Sequence, residues 1–244
     1  MKLGEQVAHE LTDNTTYDSS PAWSPDGAWI AYTAETDGQT IDLMILNVNT
    51  RVSTPLKTGE PLYLDPAWSP DGSRLAYVST EPSGYYNIFV QTMKDGKSVG
   101  ESIPLTQDHS FGTPRLYFGA FDLHIEPSWS PDGNEILFLS NRNIPLGSGG
   151  IWRMPIEPNA IEKAQLVYSE QTLYRTRPHW SPDGSRFVYT SHVGGQFTHL
   201  YLLPAVGGEP YKITFGAWDD FYPRWSPDGS KIAYISNQYG LPQL

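Results

Sequence analysis

Five short segments of the chain are apolar on both alternating faces. One face is set by Ile30, Leu75, Ile136, Phe187 and Ile232, and two residues on by Tyr32, Tyr77, Phe138, Tyr189 and Tyr234. The residues between them, Ala31, Ala76, Leu137, Val188 and Ala233, point the other way. A strand that is apolar on both faces belongs in a sheet covered on both sides. The flanks are polar and rich in turn formers. Before "SRFVYTS", for example, "RPHWS" is short and extended, and "SPDG" is a turn in which Pro presets φ and Gly ends the reversal. After it come a third strand, "FTHLYLLP", and a fourth, "YKITF". No stretch reads as a long amphipathic helix.

The same four-strand phrase recurs along the chain. W-S-P-D-G occurs five times, with its tryptophans at Trp23, Trp68, Trp129, Trp180 and Trp225. Repeats of roughly 40–50 residues, each holding four antiparallel strands, are the signature of a β-propeller. The reading is therefore one all-β domain over residues 1–244, with blades near 21–57, 66–106, 127–168, 178–214 and 223–244. The segment Gln6–Thr12 has the pattern of a spare outer strand, which could complete the last blade. Five blades closed in this way, or part of a six-bladed ring, both fit. The chain also stops as if in mid-strand, so a fragment of a longer protein is expected. The five tryptophans read as blade-to-blade packing anchors, each worth about 3–5 kcal/mol on truncation.

The motif P-x-W-S-P-D-G-x-x-I-A-Y resembles the repeat of TolB-type, WD-like β-propellers, and the likeness runs along nearly the whole chain. The resemblance implies the fold first. It further implies an interaction platform, periplasmic or secreted, or the N-terminal propeller module of a larger, amidohydrolase-like exported hydrolase whose catalytic residues would lie beyond Leu244. It also raises a third option, a metal-dependent uronate-oligosaccharide lyase.

Composition narrows the partners. The net charge is −11 with no basic run, which argues against nucleic acid, because phosphate binding needs clustered Lys and Arg. No apolar run approaches the roughly 20 residues of a membrane span. With no cysteine, disulfides and thiolate chemistry are excluded. The first residues lack the apolar core of a signal peptide. Cytoplasmic residence stays open beside an exported one.

Enzyme motifs are missing. There is no G-x-S-x-G, no H-E-x-x-H, no phosphate loop and no G-x-G-x-x-G. Five equal active sites built on five repeated turns make no chemical sense, so the motif Ser and Asp read as architecture, and no catalytic residue is assigned. The variable positions are more informative. Chain reversal puts all SPDG turns on one face, and the residues before each motif proline on the other. Three before the proline stand Asp18, Tyr63, His124, Arg175 and Asp220; one before it stand Ser20, Asp65, Glu126, Arg177 and Tyr222. His179 follows the fourth proline directly. Asp18, Asp65, His124, Glu126, Arg175, Arg177, His179 and Asp220 would thus ring a channel mouth able to bind a protein or small ligand. Compensating ion pairs along a wet channel would use the same residues. No cofactor is expected, although His124 and His179, with Glu126 and Asp122 close by, would suit a divalent cation. An insertion before the third motif carries Phe111, Tyr117, Phe118 and Phe121, too many aromatics for a solvated loop. They would form a docking surface for a protein partner or a further domain of the same polypeptide, or fold back as a channel plug.

Overall fold

The computed structural model describes residues 9–12, 17–36, 38, 40–115, 119–144, 149–169 and 175–242, with the backbone alone at 111–115, 119–120 and 175–177. The first blade is β1 (Asp18–Trp23), β2 (Trp29–Glu35), β3 (Ile41–Asn47) and β4 (Val52–Lys57). The second is β5 (Tyr63–Trp68), β6 (Arg74–Ser79), β7 (Asn87–Lys94) and β8 (Lys97–Pro104). A separate hairpin follows, β9 (Ser110–Arg115) and β10 (Gly119–Phe121). The third blade is β11 (His124–Trp129), β12 (Glu135–Ser140), β13 (Gly150–Pro155) and β14 (Gln165–Ser169), and the fourth is β15 (Arg175–Trp180), β16 (Arg186–Ser191), β17 (His199–Pro204) and β18 (Tyr211–Lys212). Each is an antiparallel meander in chain order. The fifth motif copy contributes β19 (Asp220–Trp225) and β20 (Ile232–Ser236), a sheet of two strands. The architecture is an all-β propeller of four-stranded antiparallel blades. Among the described residues four blades are complete and the fifth is half-built.

The doubly apolar strands have their explanation in the cores. Ile136 and Phe138 of β12 pack into a cluster with Val78, Ile88 and Val90 of the second blade. Leu137 and Leu139, on the opposite face, join Phe187, Tyr189 and Leu203 of the fourth. Likewise Leu75 and Tyr77 face Ala31, Leu43 and Ile45 of the first blade, while Ala76 faces the third. Burial of apolar surface between blades is what holds the arc together. The first strands β1, β5, β11, β15 and β19 pack on one another in succession and form the inner row.

At the N-terminal side the expectation changes. Gln6–Ala8 lie outside the described residues, and residues 9–12 are not in a strand. Leu11 instead packs on Ile30, Tyr32, Ala34 and Leu46 of the first blade. The reason is the same hydrophobic rule: β2 is apolar on both faces, and Leu11 covers the face turned away from the second blade. Trp23 also departs from its four counterparts. Trp129 and Trp180 are 7% exposed, but Trp23 is 56% exposed, because no described blade precedes it to pack on its ring.

Every WSPDG turn is built alike. Ser24 Oγ donates to Asp26 Oδ1 at 2.6 Å and accepts from the Trp29 N–H at 2.9 Å. Asp26 Oδ1 also accepts from the Ala28 N–H at 3.0 Å. The same bonds recur at Ser69/Asp71, Ser130/Asp132, Ser181/Asp183 and Ser226/Asp228. The turn glycines share a φ of 69–71°, the left-handed region.

Candidate functional site

The residue before four of the five motif prolines has an unusual backbone. Ser20, Asp65, Glu126 and Tyr222 have φ of 50°, 49°, 55° and 52°. Each sits at a break in register, where two residues of the first strand oppose one of the second; the fourth blade has the same break between Thr176 and His179. These are β-bulges, which kink a strand and re-aim a side chain. A non-glycine residue in this region costs about 1–3 kcal/mol. Four chemically different side chains carry that cost, so the bulge belongs to the blade design rather than to one residue.

The bulges bring some of the sequence-selected residues together. Asp65 Oδ2 accepts a hydrogen bond from the Glu126 N–H at 3.3 Å, linking bulge to bulge across the second and third blades. Asp18 is partly exposed in the first blade and helps burial to raise the Tyr32 hydroxyl pKa. His124 is fully buried, its ring 6.0 Å from that of Phe138. Among the described residues neither of its ring nitrogens has a hydrogen-bond partner. Burial pushes its pKa down to about 4, against the pull of Asp122 and with help from Arg142 and His109. Asp122 is itself buried and lies 2.8 Å from His109 Nδ1.

His179 belongs to a different neighbourhood. The residue is partly exposed, but its Nδ1 is buried without a partner among the described residues. Burial first, then the Arg224 guanidinium, lowers its pKa to about 3. The charges that act on His124 and on His179 are thus separate sets, one between the second and third blades and one toward the fifth. Among the described residues no group of three or more His, Asp or Glu is arranged to hold a metal ion. Of the remaining candidates, Arg175 and Arg177 have described backbone in β15, while their side chains, that of Phe111, and Tyr117 and Phe118 lie outside the described residues.

Two contacts escape a reading of the sequence. Asp220 is 1% exposed, and its Oδ2 lies 3.6 Å from Nδ1 of the buried His199. His199 opens the third strand of its blade, as Asn87 does in the second, and that shared place is the only signal the sequence carries for it. The other is Tyr85, in the β6–β7 loop, which stacks on Phe121 with ring centroids 3.9 Å apart. It holds the end of the β9–β10 hairpin against the second blade, on the side away from the WSPDG turns. Tyr85 remains 38% exposed.

The repeat geometry has a match in a known family. Residues 42–197, more than half of the chain, match the TolB beta propeller domain, PD40. The chain belongs to that family. Among curated relatives, the Tol-Pal system protein TolB of Anaeromyxobacter dehalogenans (strain 2CP-C) is 31% identical over 139 residues. The match covers 55% of this chain and 29% of that TolB. Among solved structures, TolB from Acinetobacter baumannii has a TM-score of 0.70 at 19% identity, over 92% of this chain and 50% of that one. A Mycobacterium tuberculosis puromycin-hydrolyzing peptidase has a TM-score of 0.63 at 15% identity, over 100% of this chain and 39% of that one. At such identities the two structures show the shared TolB-type fold and nothing finer.

Proposed function

We propose that this TolB-type propeller is a non-catalytic scaffold that binds a protein partner on the face carrying the β9–β10 hairpin, as part of an exported protein. The observation that carries this reading is the hairpin itself: a two-stranded sheet outside the blades, anchored through the stacked Tyr85–Phe121 pair, in which Tyr85 is exposed and Phe121 half-buried. Exposed aromatics on a rigid frame are what protein contacts are built from. The opposite face supports the non-catalytic part. Its repeated serines and aspartates are committed to their own turns by the bonds described above. Among the described residues no helix is long and apolar enough to cross a membrane. The relatives of the Tol-Pal system favour a periplasmic setting and another component of that system as partner.

A second reading, a propeller module of a larger hydrolase, draws on the peptidase whose fold covers all of this chain and 39% of that protein. One experiment separates the two. Residues 108–121 are replaced by a short Gly-Ser link, and binding to each Tol-Pal component of the source organism is measured by biolayer interferometry. The scaffold reading expects binding by the parent protein and a loss of at least about tenfold on replacement, on the order of 1.4 kcal/mol. Binding unchanged by the replacement overturns the assigned face. No binding at all, with a native mass far above 27.3 kDa in source cells, favours the module reading.

A further inference from the structure

The bulge residue of the second blade differs from its counterparts in one chemical respect. Asp65 precedes Pro66, and this is the single Asp–Pro bond of the chain. The backbone there is strained on two counts. Its φ of 49° lies in the left-handed region, which a non-glycine residue seldom adopts. The proline that follows pushes its predecessor toward extended backbone instead. The register break holds the residue in place. Leu64 pairs with Val78 and Ala67 with Ala76, so Asp65 and Pro66 together stand opposite the buried Tyr77.

Strain of this kind is held by the surrounding packing and is available to a reaction that breaks the strained link. Asp65 carries a group able to break it. A carboxyl oxygen can close on the residue's own main-chain carbonyl carbon in a five-membered ring, so the reacting atoms are held close by the covalent frame. Proline suits the other half of the reaction. With no N–H, the Pro66 nitrogen cannot attack the carboxyl in return, the path open at the Asp–Gly bonds of the motif turns. Asp65 is half-buried, so water reaches it, and its Oδ2 accepts from the Glu126 N–H at 3.3 Å, which keeps the carboxyl beside the bulge. Ser20, Glu126, Arg177 and Tyr222 take this place in the other blades. Glu126 is the informative comparison. It has a φ of 55°, a carboxyl and a following proline, but one more methylene enlarges the ring that would have to close.

We propose that Asp65–Pro66 is a self-cleavage site of the folded protein, at which the Asp65 carboxyl cuts the chain into 1–65 and 66–244. In the first step a carboxyl oxygen of Asp65 bonds to the Asp65 carbonyl carbon. The C–N bond to Pro66 breaks, and the proline nitrogen leaves as a secondary amine with the carboxyl proton. Asp65 is left as a cyclic anhydride. One water opens it to the free α- and β-carboxyl groups, so the net change is hydrolysis of one peptide bond. The step uses the proton of the carboxyl and therefore quickens as pH falls. Cleavage releases the strain of the bulge, and the two pieces stay joined by their shared core, where Leu43 and Ile45 pack with Leu75 and Tyr77. The product is a nicked propeller with a new amine and a new carboxylate on the inner row of strands. The proposal does not depend on the partner face assigned above.

The test incubates the whole protein at the lowest pH that keeps its native near-ultraviolet circular dichroism, beside a sample unfolded in about 8 M urea at the same pH. Mass spectrometry under denaturing conditions reads the fragments 1–65 and 66–244 in both, because a nicked propeller would stay in one piece otherwise. The folded sample is expected to cleave at Asp65–Pro66 about five- to tenfold faster than the unfolded one, the gain that release of the bulge strain supports. Glu126–Pro127 is expected to stay intact in both. Asp65→Glu, which copies the bulge of the third blade, is expected to lose the cleavage. Asp65→Ser, which copies the bulge of the first blade, is expected to lose it as well and serves if the glutamate variant does not fold. Equal or faster cleavage in urea, cleavage of Glu126–Pro127 at the same rate, cleavage that survives in a folded variant, or an intact chain in both samples overturns the proposal.

Discussion

The Nε1–H of Trp129 donates a hydrogen bond to the carbonyl of Ala67, 2.8 Å away across the boundary of two blades and 62 residues earlier in the chain. Trp129 therefore does two jobs in one groove, whereas the indole N–H groups of Trp68, Trp180 and Trp225 have no partner among the described residues. Its ring fills the space between blades, and its polar edge satisfies a carbonyl of the neighbouring inner strand. Trp129→Ala is expected to cost about 3–5 kcal/mol and Trp129→Phe, which keeps most of the ring, distinctly less, with about 1 kcal/mol traceable to the hydrogen bond. Trp23→Ala, at a site 56% exposed, is expected to stay within about 1 kcal/mol. Urea unfolding of the three variants checks the gradient; equal losses at Trp23 and Trp129 would contradict it.

Acid should destabilise the propeller in two successive, partly overlapping windows. Burial lowers the His124 pKa from 6.5 to about 4, so the unfolded chain takes up the proton first as pH falls. Stability present above 6.5 is lost down to about 4, on the order of 3 kcal/mol. His179, lowered to about 3, acts over the same fall in pH, so His124→Gln is expected to shrink this step in unfolding curves recorded between pH 7 and 4 and to leave the share of His179. The turn aspartates act lower. Asp71 is depressed from 3.8 to about 2, chiefly by the Ser69 and Ser73 hydroxyls, so its contribution is lost as pH falls through that interval. Asp71→Asn should remove its own share of that lower dependence, leaving those of Asp183 and Asp228, and should leave the upper step intact.

Gly96 and Gly100 offer a controlled comparison in one hairpin. Their φ values are 71° and 68°, so alanine meets similar backbone strain at both. Only at Gly96 would the new Cβ strike a ring, that of Trp29 at 2.5 Å; at Gly100 nothing lies within 4 Å. Gly96→Ala is expected to be the more destabilising by about 1–3 kcal/mol. A thermal melt of the two variants side by side measures the difference.

Metal removal is expected to leave the protein unchanged, since the charges acting on His124 and His179 belong to separate neighbourhoods. Dialysis against EDTA, followed by addition of manganese, should move the melting temperature by less than about 1 °C. A clear rise with manganese would return the lyase reading to contention.

Much of the scaffold is legible in the residues themselves. Ile136, Leu137 and Phe138 announce a strand with two apolar faces, and those faces do enter two different cores. The turn chemistry of Ser181, Asp183 and Gly184 follows from residue type and spacing alone. The site is less legible. Asp65 and Glu126 align as equivalent positions, but their hydrogen bond depends on how one blade is rotated against the next. His199 facing Asp220, and Tyr85 stacked on Phe121, join residues that no local pattern pairs.

What the sequence determined by itself is periodic and short-ranged: strand after strand, a proline and a glycine at each turn, and an all-β repeat. Those features depend on neighbours within a few residues, where side-chain alternation and backbone preference decide. Tertiary structure decided which copies of the repeat are equivalent in use. Trp23 and Trp129 share a motif but differ in burial because only one has a preceding blade among the described residues. Trp29 and Arg74 share a position, yet one lines a cleft beside its neighbour and the other reaches across to the Gly133 carbonyl. Contacts between blades join residues about 60 positions apart, and their energies depend on the docking of whole sheets, which no repeat read in isolation contains.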